Sequence, residues 1–362
     1  MENGGPAGPE RLTPFESLLT AMRLPYPVAC LLLAIVAGAP GFILVAYAHT
    51  SDWDLALRLV FSQPKGATRE GAVASTIFVF VNFLVFYGIA RLRQRIVSAK
   101  EQLISLAPDG EGTYRRAFRY VSSWWPVVIA FALEGISAIS SVMAIPGGQW
   151  LAEGPYLLVL EALRFLMSVG VLTLVWVYAT GLKGLHELGA QPLRLKSYHE
   201  DPLLGTRPIG QISLRFGLWF AAVLILVLLA NSLVPDDWTF GVVAVFALIG
   251  ITMFFLPLSS IHRRMTEVKG KETRSVRARF ARLMGDAEDP AQPLAIEPFA
   301  QLDRRLRELA GLQVLDMEIR ETGSIRTWPF DTRILGQLTV IILSVVAALI
   351  VRLVIVALPV LR

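Results

Sequence analysis

Three charged residues, Glu134, Glu161 and Arg164, lie inside otherwise apolar stretches of this 362-residue chain. A charge near the middle of a bilayer must find a partner or a water-filled cavity. Glu161 and Arg164 are three positions apart and so share a helix face, while Glu134 lies at a compatible depth in the preceding stretch. The spacing predicts an intramembrane charge cluster. It is either an interhelical ion pair that only fixes packing, or part of an ion pathway, a proton relay or a ligand pocket.

A second set of residues could hold a divalent cation at one membrane face. Imidazole and carboxylate ligands occur in two short His-acid segments, and a further histidine follows the sixth apolar stretch. The candidate ligands are His186, His199, Glu200 and His262. Ordinary surface His-acid dipeptides are equally compatible with this pattern, so it is a weak indication of a metal or proton-sensing site.

The last apolar stretch is polar in its first half and aliphatic in its second half. A helix of this kind could line a pore that has a hydrophobic gate. A lipid-facing helix with a polar end would show the same pattern. The pore candidates are Gln337, Thr339, Ser344, Val346, Ile350 and Arg352.

Helices long enough to cross a membrane must position all of these residues. Hydrophobic residues make up 54% of the chain, charged residues 17%, and the mean hydropathy is +0.56, which is typical of integral membrane proteins. The apolar residues collect in blocks of about 20 residues, the length of a transmembrane helix. Seven blocks are predicted as spans: 28–48, 72–92, 124–145, 155–182, 212–234, 238–260 and 334–358.

The 34 Lys and Arg residues separate between alternate connecting segments. Most lie in the N-terminal segment and in segments 93–123, 183–211 and 261–333, whereas 146–154 and 235–237 contain none. By the positive-inside tendency, the basic side faces the cytoplasm. The sequence therefore predicts a multi-pass protein of the plasma (inner) membrane, with its N-terminus in the cytoplasm, its C-terminus outside, and the anionic inner leaflet as a partner.

The expected fold class is all-α, a polytopic bundle of seven transmembrane helices with a cytoplasmic helical hairpin. Residues 1–25 form a cytoplasmic tail, 26–260 a six-span bundle, 261–333 a basic hairpin and 334–362 the seventh transmembrane helix. In the hairpin, a first helix carries an apolar stripe that Gly270 interrupts, and a Pro-rich turn and a second helix over about 299–319 follow. Pro257 is expected to kink or unwind the sixth span.

Enzymatic function is not predicted. The chain has no P-loop, dinucleotide fingerprint, HExxH motif or nucleophile elbow, and we expect no cofactor. The only cysteine, Cys30, excludes an intramolecular disulfide. Because the basic charge follows the topology, we interpret it as membrane-related and expect no nucleic-acid partner.

Seven spans, a long basic segment before the last span, and the run Pro329-Phe330-Asp331-Thr332 followed by Gly336 resemble the seven-transmembrane ion channel superfamily, which includes the insect odorant and gustatory receptors. The resemblance implies a homo-oligomer, with a tetramer favoured. Cytoplasmic helices would hold it together, and the seventh span would surround a cation pore. Two alternatives remain: a non-conducting membrane sensor or scaffold that signals through the hairpin, and a small-solute transporter.

Overall fold

The computed structural model describes residues 9–50, 67–143, 150–194, 201, 203–233 and 237–287, with a few separate positions between 310 and 350. Throughout these residues the secondary structure is helical and contains no strand. The helices are α1 Pro14–Ala21, α2 Tyr26–Thr50, α3 Ala67–Ser98, α4 Lys100–Leu106, α5 Glu111–Phe118, α6 Trp125–Met143, α7 Trp150–Ala190, α8 Arg207–Leu233 and α9 Asp237–Ala287. The predicted all-α class is confirmed for this part of the chain.

Apolar helices indicate a membrane-embedded protein. Three described segments are long and apolar enough to cross a membrane: Thr76–Ser98, Glu161–Ala190 and Arg207–Leu229. A fourth span results if Pro14–Ala21 and Tyr26–Gly38, bent by 98° at their junction, are taken together. A shorter apolar helix covers Trp125–Ser140. Three or four of the seven predicted spans are therefore found among the described residues. The last predicted span lies almost wholly outside them.

Helices α3 and α7 are the centre of the bundle. Helix α3 packs against α2, α7 and α8, while α7 also packs against α6 and α9. Close backbone approach occurs where α7 meets α9, because a Cβ on Gly189 would lie 2.6 Å from the Ser260 hydroxyl. Beyond the apolar region, α3 packs against the short helix α4, and α7 packs against the short helix α5.

The tightest packing lies at one end of the bundle, which we call the inner end: α1, α4, α5 and the adjoining parts of α3, α7, α8 and α9. Its fully buried large side chains include Phe15, Leu19, Ile96, Leu103, Tyr114, Phe118, Leu185 and Leu188. Water drives apolar side chains together only outside the hydrocarbon, because lipid tails are themselves apolar. The dense core is therefore expected where the helices leave the membrane.

The basic segments meet at this inner end. Ser122 donates to the Arg11 carbonyl at 2.7 Å, the Arg194 amide to the Leu106 carbonyl at 2.9 Å, and Arg264 to the Ala190 carbonyl at 2.9 Å. These bonds join the N-terminal segment to segment 93–123, segment 93–123 to segment 183–211, and segment 183–211 to the start of segment 261–333. All four lie at one end of the bundle, as their shared positive charge predicts.

Two details differ from the expectation. The region 1–25, predicted as a tail, contains α1, whose Phe15 and Leu19 are buried in the inner-end core. Helix α9 is continuous for 51 residues through both Pro257 and Gly270, so the glycine that interrupts the apolar stripe does not end the helix. No neighbouring atom lies within 4 Å of a Cβ at Gly270, and one glycine costs a helix only about 1 kcal/mol. The second arm of the predicted hairpin lies mostly outside the described residues.

Candidate intramembrane charge cluster

The intramembrane cluster is built from α6 and α7, which pack side by side. Glu134 is the tenth residue of α6, about 14 Å along the helix axis from Trp125. On α7, Glu161 and Arg164 lie on one face. Phe131 and Phe165 meet edge to face beside the cluster, with ring centroids 6.4 Å apart.

The structure brings the three predicted charges together. Arg164 Nη1 donates to Glu161 Oε1 at 3.2 Å, and Arg164 Nε lies 3.8 Å from Glu134 Oε2. The first distance is a hydrogen-bonded ion pair within α7. The second is an ion pair between helices, longer than a hydrogen bond.

Ser168, which sequence reasoning missed, completes the cluster. Its hydroxyl makes a close hydrogen bond to Glu134 Oε1. Ser168 lies one turn beyond Arg164 on the same face of α7, and this i, i+4 relationship was the signal that could have found it. The hydroxyl ties α7 to α6 at the depth of the charges.

Two carboxylates lie beside the Arg164 guanidinium, and Glu134 Oε2 is buried without a hydrogen bond from any described residue. A buried carboxylate oxygen of this kind can accept a proton or a cation.

Arg164 is oriented outward from the described helices. Its side chain is 53% exposed, whereas those of Glu134 and Glu161 are 17% and 15% exposed. In the predicted topology this guanidinium lies within the bilayer, where exposure to lipid would cost at least about 2.5 kcal/mol, so the prediction places water or a further protein surface against its exposed side.

The metal candidates are only partly described. His186 Nδ1 lies 3.0 Å from the Leu256 carbonyl oxygen, next to Pro257, so this imidazole joins α7 to α9. His262 lies on α9, and its carbonyl accepts a hydrogen bond from Thr266 at 2.8 Å. Within the described ranges, no three His, Cys, Asp or Glu residues are grouped so as to hold a metal ion. His199 and Glu200 lie outside those ranges.

Among the pore candidates, Val346 and Ile350 are described, and both are helical and exposed, at 39% and 54%. Leu343, on the same face as both, is 61% exposed. Gln337, Thr339, Ser344 and Arg352 lie outside the described residues. The described positions thus present an exposed aliphatic surface.

Comparison with known proteins identifies no relative, because no protein-family model, curated protein or solved structure matches this chain. The resemblance to the seven-transmembrane ion channel superfamily therefore stays a prediction.

Proposed function

We propose that this chain is a subunit of an oligomeric membrane ion channel. The outward-facing guanidinium of Arg164 is the observation that carries the proposal. In the predicted topology this half-exposed charge lies within the bilayer, where it needs either an aqueous path or a neighbouring subunit. An oligomeric channel supplies both.

In this proposal the chain crosses the membrane seven times, with its N-terminus in the cytoplasm and its C-terminus outside. The last span, 334–358, lines the pore, and a basic cytoplasmic hairpin holds the subunits, with a tetramer favoured. The exposed aliphatic positions Val346 and Ile350 suit a hydrophobic gate, because a narrow aliphatic ring resists wetting. Gln337, Thr339 and Ser344 would supply the polar inner half, and Arg352 would lie near the outer mouth.

Ion flux in proteoliposomes tests the proposal. We expect flux above that of empty liposomes, and a higher basal flux, by about tenfold, for Val346→Ser and Ile350→Asn, because polar groups wet the gate. Val128→Ser is the matched control, since Val128 is 53% exposed on α6, and its flux should be unchanged. Val81 and Val85 are unsuitable controls because both are buried in the helix bundle.

The charge cluster is tested in the same assay. Arg164→Gln should change the flux or the ion selectivity, whereas Arg115→Gln on the exposed surface of α5 should change neither. A monomeric protein in mild detergent, with no flux above background in any variant, would exclude the channel.

A sensor or scaffold is the second candidate, and α9 favours it. This helix spans about 76 Å, more than twice the hydrocarbon thickness. Its first half packs within the bundle, while Met265 and Val276 are buried farther along it. A continuous helix of this length can transmit a movement from the membrane to the inner end. Two spin labels, one at Leu248 and one at Arg277, should then move together in response to a stimulus even if no ion is conducted.

A further inference from the structure

Three exposed arginines form a positively charged patch between α3 and α8: Arg91 and Arg95 on α3, and Arg215 on α8. We call these three residues the arginine patch. The two helices are in direct contact just below it, where the Trp219 indole N–H donates to the Leu84 carbonyl at 3.1 Å. Because the helices run in opposite directions, two to three turns forward from Leu84 on α3 and one turn back from Trp219 on α8 bring the arginines to the same end of this contact.

Aromatic rings form the floor of the patch. Tyr87 lies between Arg91 and Trp219, with the Arg91 guanidinium 4.8 Å from the Tyr87 ring centroid. The Tyr87 and Trp219 ring centroids are 5.9 Å apart. The Arg91 Nε also donates to the Tyr87 hydroxyl. These contacts orient Arg91 but contribute no negative charge.

The charge of the patch is not neutralised within the described chain. Arg93, on the opposite face of α3, is paired with Glu16, whereas no described carboxylate forms an ion pair with Arg91, Arg95 or Arg215. Arg91 and Arg215 both repel the charge of Arg95. A cluster of exposed guanidinium groups without a described carboxylate partner suits an anion.

The position of the patch identifies the source of that anion. The predicted inner boundaries of the two spans are Leu92 and Ile212, and each arginine lies within one helical turn of them. Tyr87 and Trp219 lie one turn deeper, as aromatic residues at a membrane interface do. At this level the surrounding anions are lipid phosphates.

We propose that the arginine patch binds the phosphate headgroup of an anionic phospholipid from the surrounding monolayer. The planar forks of the three arginines donate hydrogen bonds to the phosphate oxygens, and the acyl chains lie along the apolar surfaces of α3 and α8. The anionic lipid thereby joins these two helices at the inner end. This inference does not depend on ion conduction.

Native mass spectrometry of the full chain, released from mixed micelles, tests the proposal. The probes are phosphatidylglycerol and phosphatidylcholine at equal concentration. We expect the wild-type protein to retain phosphatidylglycerol preferentially. Each basic residue contributes about fivefold to binding at an anionic surface, so Arg91→Gln/Arg95→Gln/Arg215→Gln should weaken retention by at least about tenfold.

A matched variant separates the patch from general positive charge. Arg274→Gln/Arg277→Gln/Arg282→Gln removes three exposed arginines from α9 and should leave lipid retention unchanged. Replacing the three patch arginines by lysine should retain most of the binding, because the charge stays. If the triple glutamine variant does not fold, the single variants Arg91→Gln and Arg215→Gln should each show a loss of several-fold.

Three results would overturn the proposal. One is an equal loss in the α9 variant, which would assign the preference to overall charge. Another is unchanged retention in the folded patch variants. The third is displacement of phosphatidylglycerol by millimolar inorganic phosphate, which would show a site for a free anion rather than a lipid.

Discussion

The guanidinium of Arg93 on α3 is buried against the carboxylate of Glu16 on α1, with Nε 2.8 Å from Oε2 and 3.0 Å from Oε1. Their side chains are only 8% and 2% exposed. Arg93 Nη1 also donates to the Pro9 carbonyl at 2.8 Å. Glu16 further accepts the Thr13 amide at 2.9 Å, so one carboxylate caps α1 and fixes it to the bundle.

Replacing Arg93 by Met should therefore destabilise the protein strongly. Removing one partner of a buried ion pair leaves the other charge unpaired, at a cost of about 3–5 kcal/mol. The thermal unfolding midpoint in detergent should fall, and Glu16→Gln/Arg93→Met should recover part of the loss. The exposed pair Arg115–Glu111 is the control, since Arg115→Gln should leave the midpoint unchanged. Equal decreases of the unfolding midpoint in Arg93→Met and Arg115→Gln would contradict the role of burial.

The intramembrane cluster should respond unequally to the loss of its members. Arg164→Ala leaves two mostly buried carboxylates beside each other and should cost about 3–5 kcal/mol. Glu134→Ala should cost less, because Arg164 keeps Glu161 as a partner. Unfolding in nanodiscs, measured for both single variants and the double variant, gives the coupling energy. Strictly additive effects would show that Glu134 and Arg164 do not interact.

The contact between α3 and α8 depends on a glycine. A Cβ at Gly88 would lie 1.9 Å from Trp219 Nε1, so Gly88→Ala should force the two helices apart and break the indole hydrogen bond. Such overpacking costs about 1–3 kcal/mol. Gly135→Ala is the control, because nothing lies within 4 Å of its Cβ position, and it should be neutral or stabilising. A lower unfolding midpoint for Gly135→Ala than for Gly88→Ala would contradict the conclusion that the contact between α3 and α8 depends on Gly88.

Orientation can be measured by cysteine labelling in intact cells. Wild-type Cys30 is buried and should react little. We expect Gly112→Cys, at the inner end, and Asp289→Cys to be protected from a membrane-impermeant reagent, whereas Asp236→Cys should be labelled. Labelling of Asp289→Cys from the outside would place the basic side outside. Different accessibility of positions 112 and 289 would contradict the proposal that both face the cytoplasm.

The sequence by itself determined the helical class, three or four of the apolar spans and the meeting of the basic segments at one end of the described bundle. Each of these follows from short-range pattern. The length of apolar runs sets a span, because every backbone polar group in lipid must be satisfied within a helix. The i, i+3 spacing placed Glu161 beside Arg164, and depth alone made Glu134 a compatible partner.

The tertiary structure decided which of many similar charges are paired. Arg91, Arg93 and Arg95 occupy alternate positions on α3. Arg93 is buried against Glu16, whereas Arg91 and Arg95 are exposed. The capping box Thr13-Pro14-Phe15-Glu16 begins α1. Its partner on α3 is 77 positions away, and only the packing of the helices brings Arg93 to it.

The continuity of α9 was also decided by packing. Local propensity favours a break at Gly270, but the buried faces at Met265 and Val276 hold the helix together on both sides of that residue. In the same way, the outward orientation of Arg164 depends on how α6 and α7 are rotated against each other. The sequence predicts only that a charge lies within an apolar segment. Which direction it faces follows from contacts between helices that no local pattern encodes.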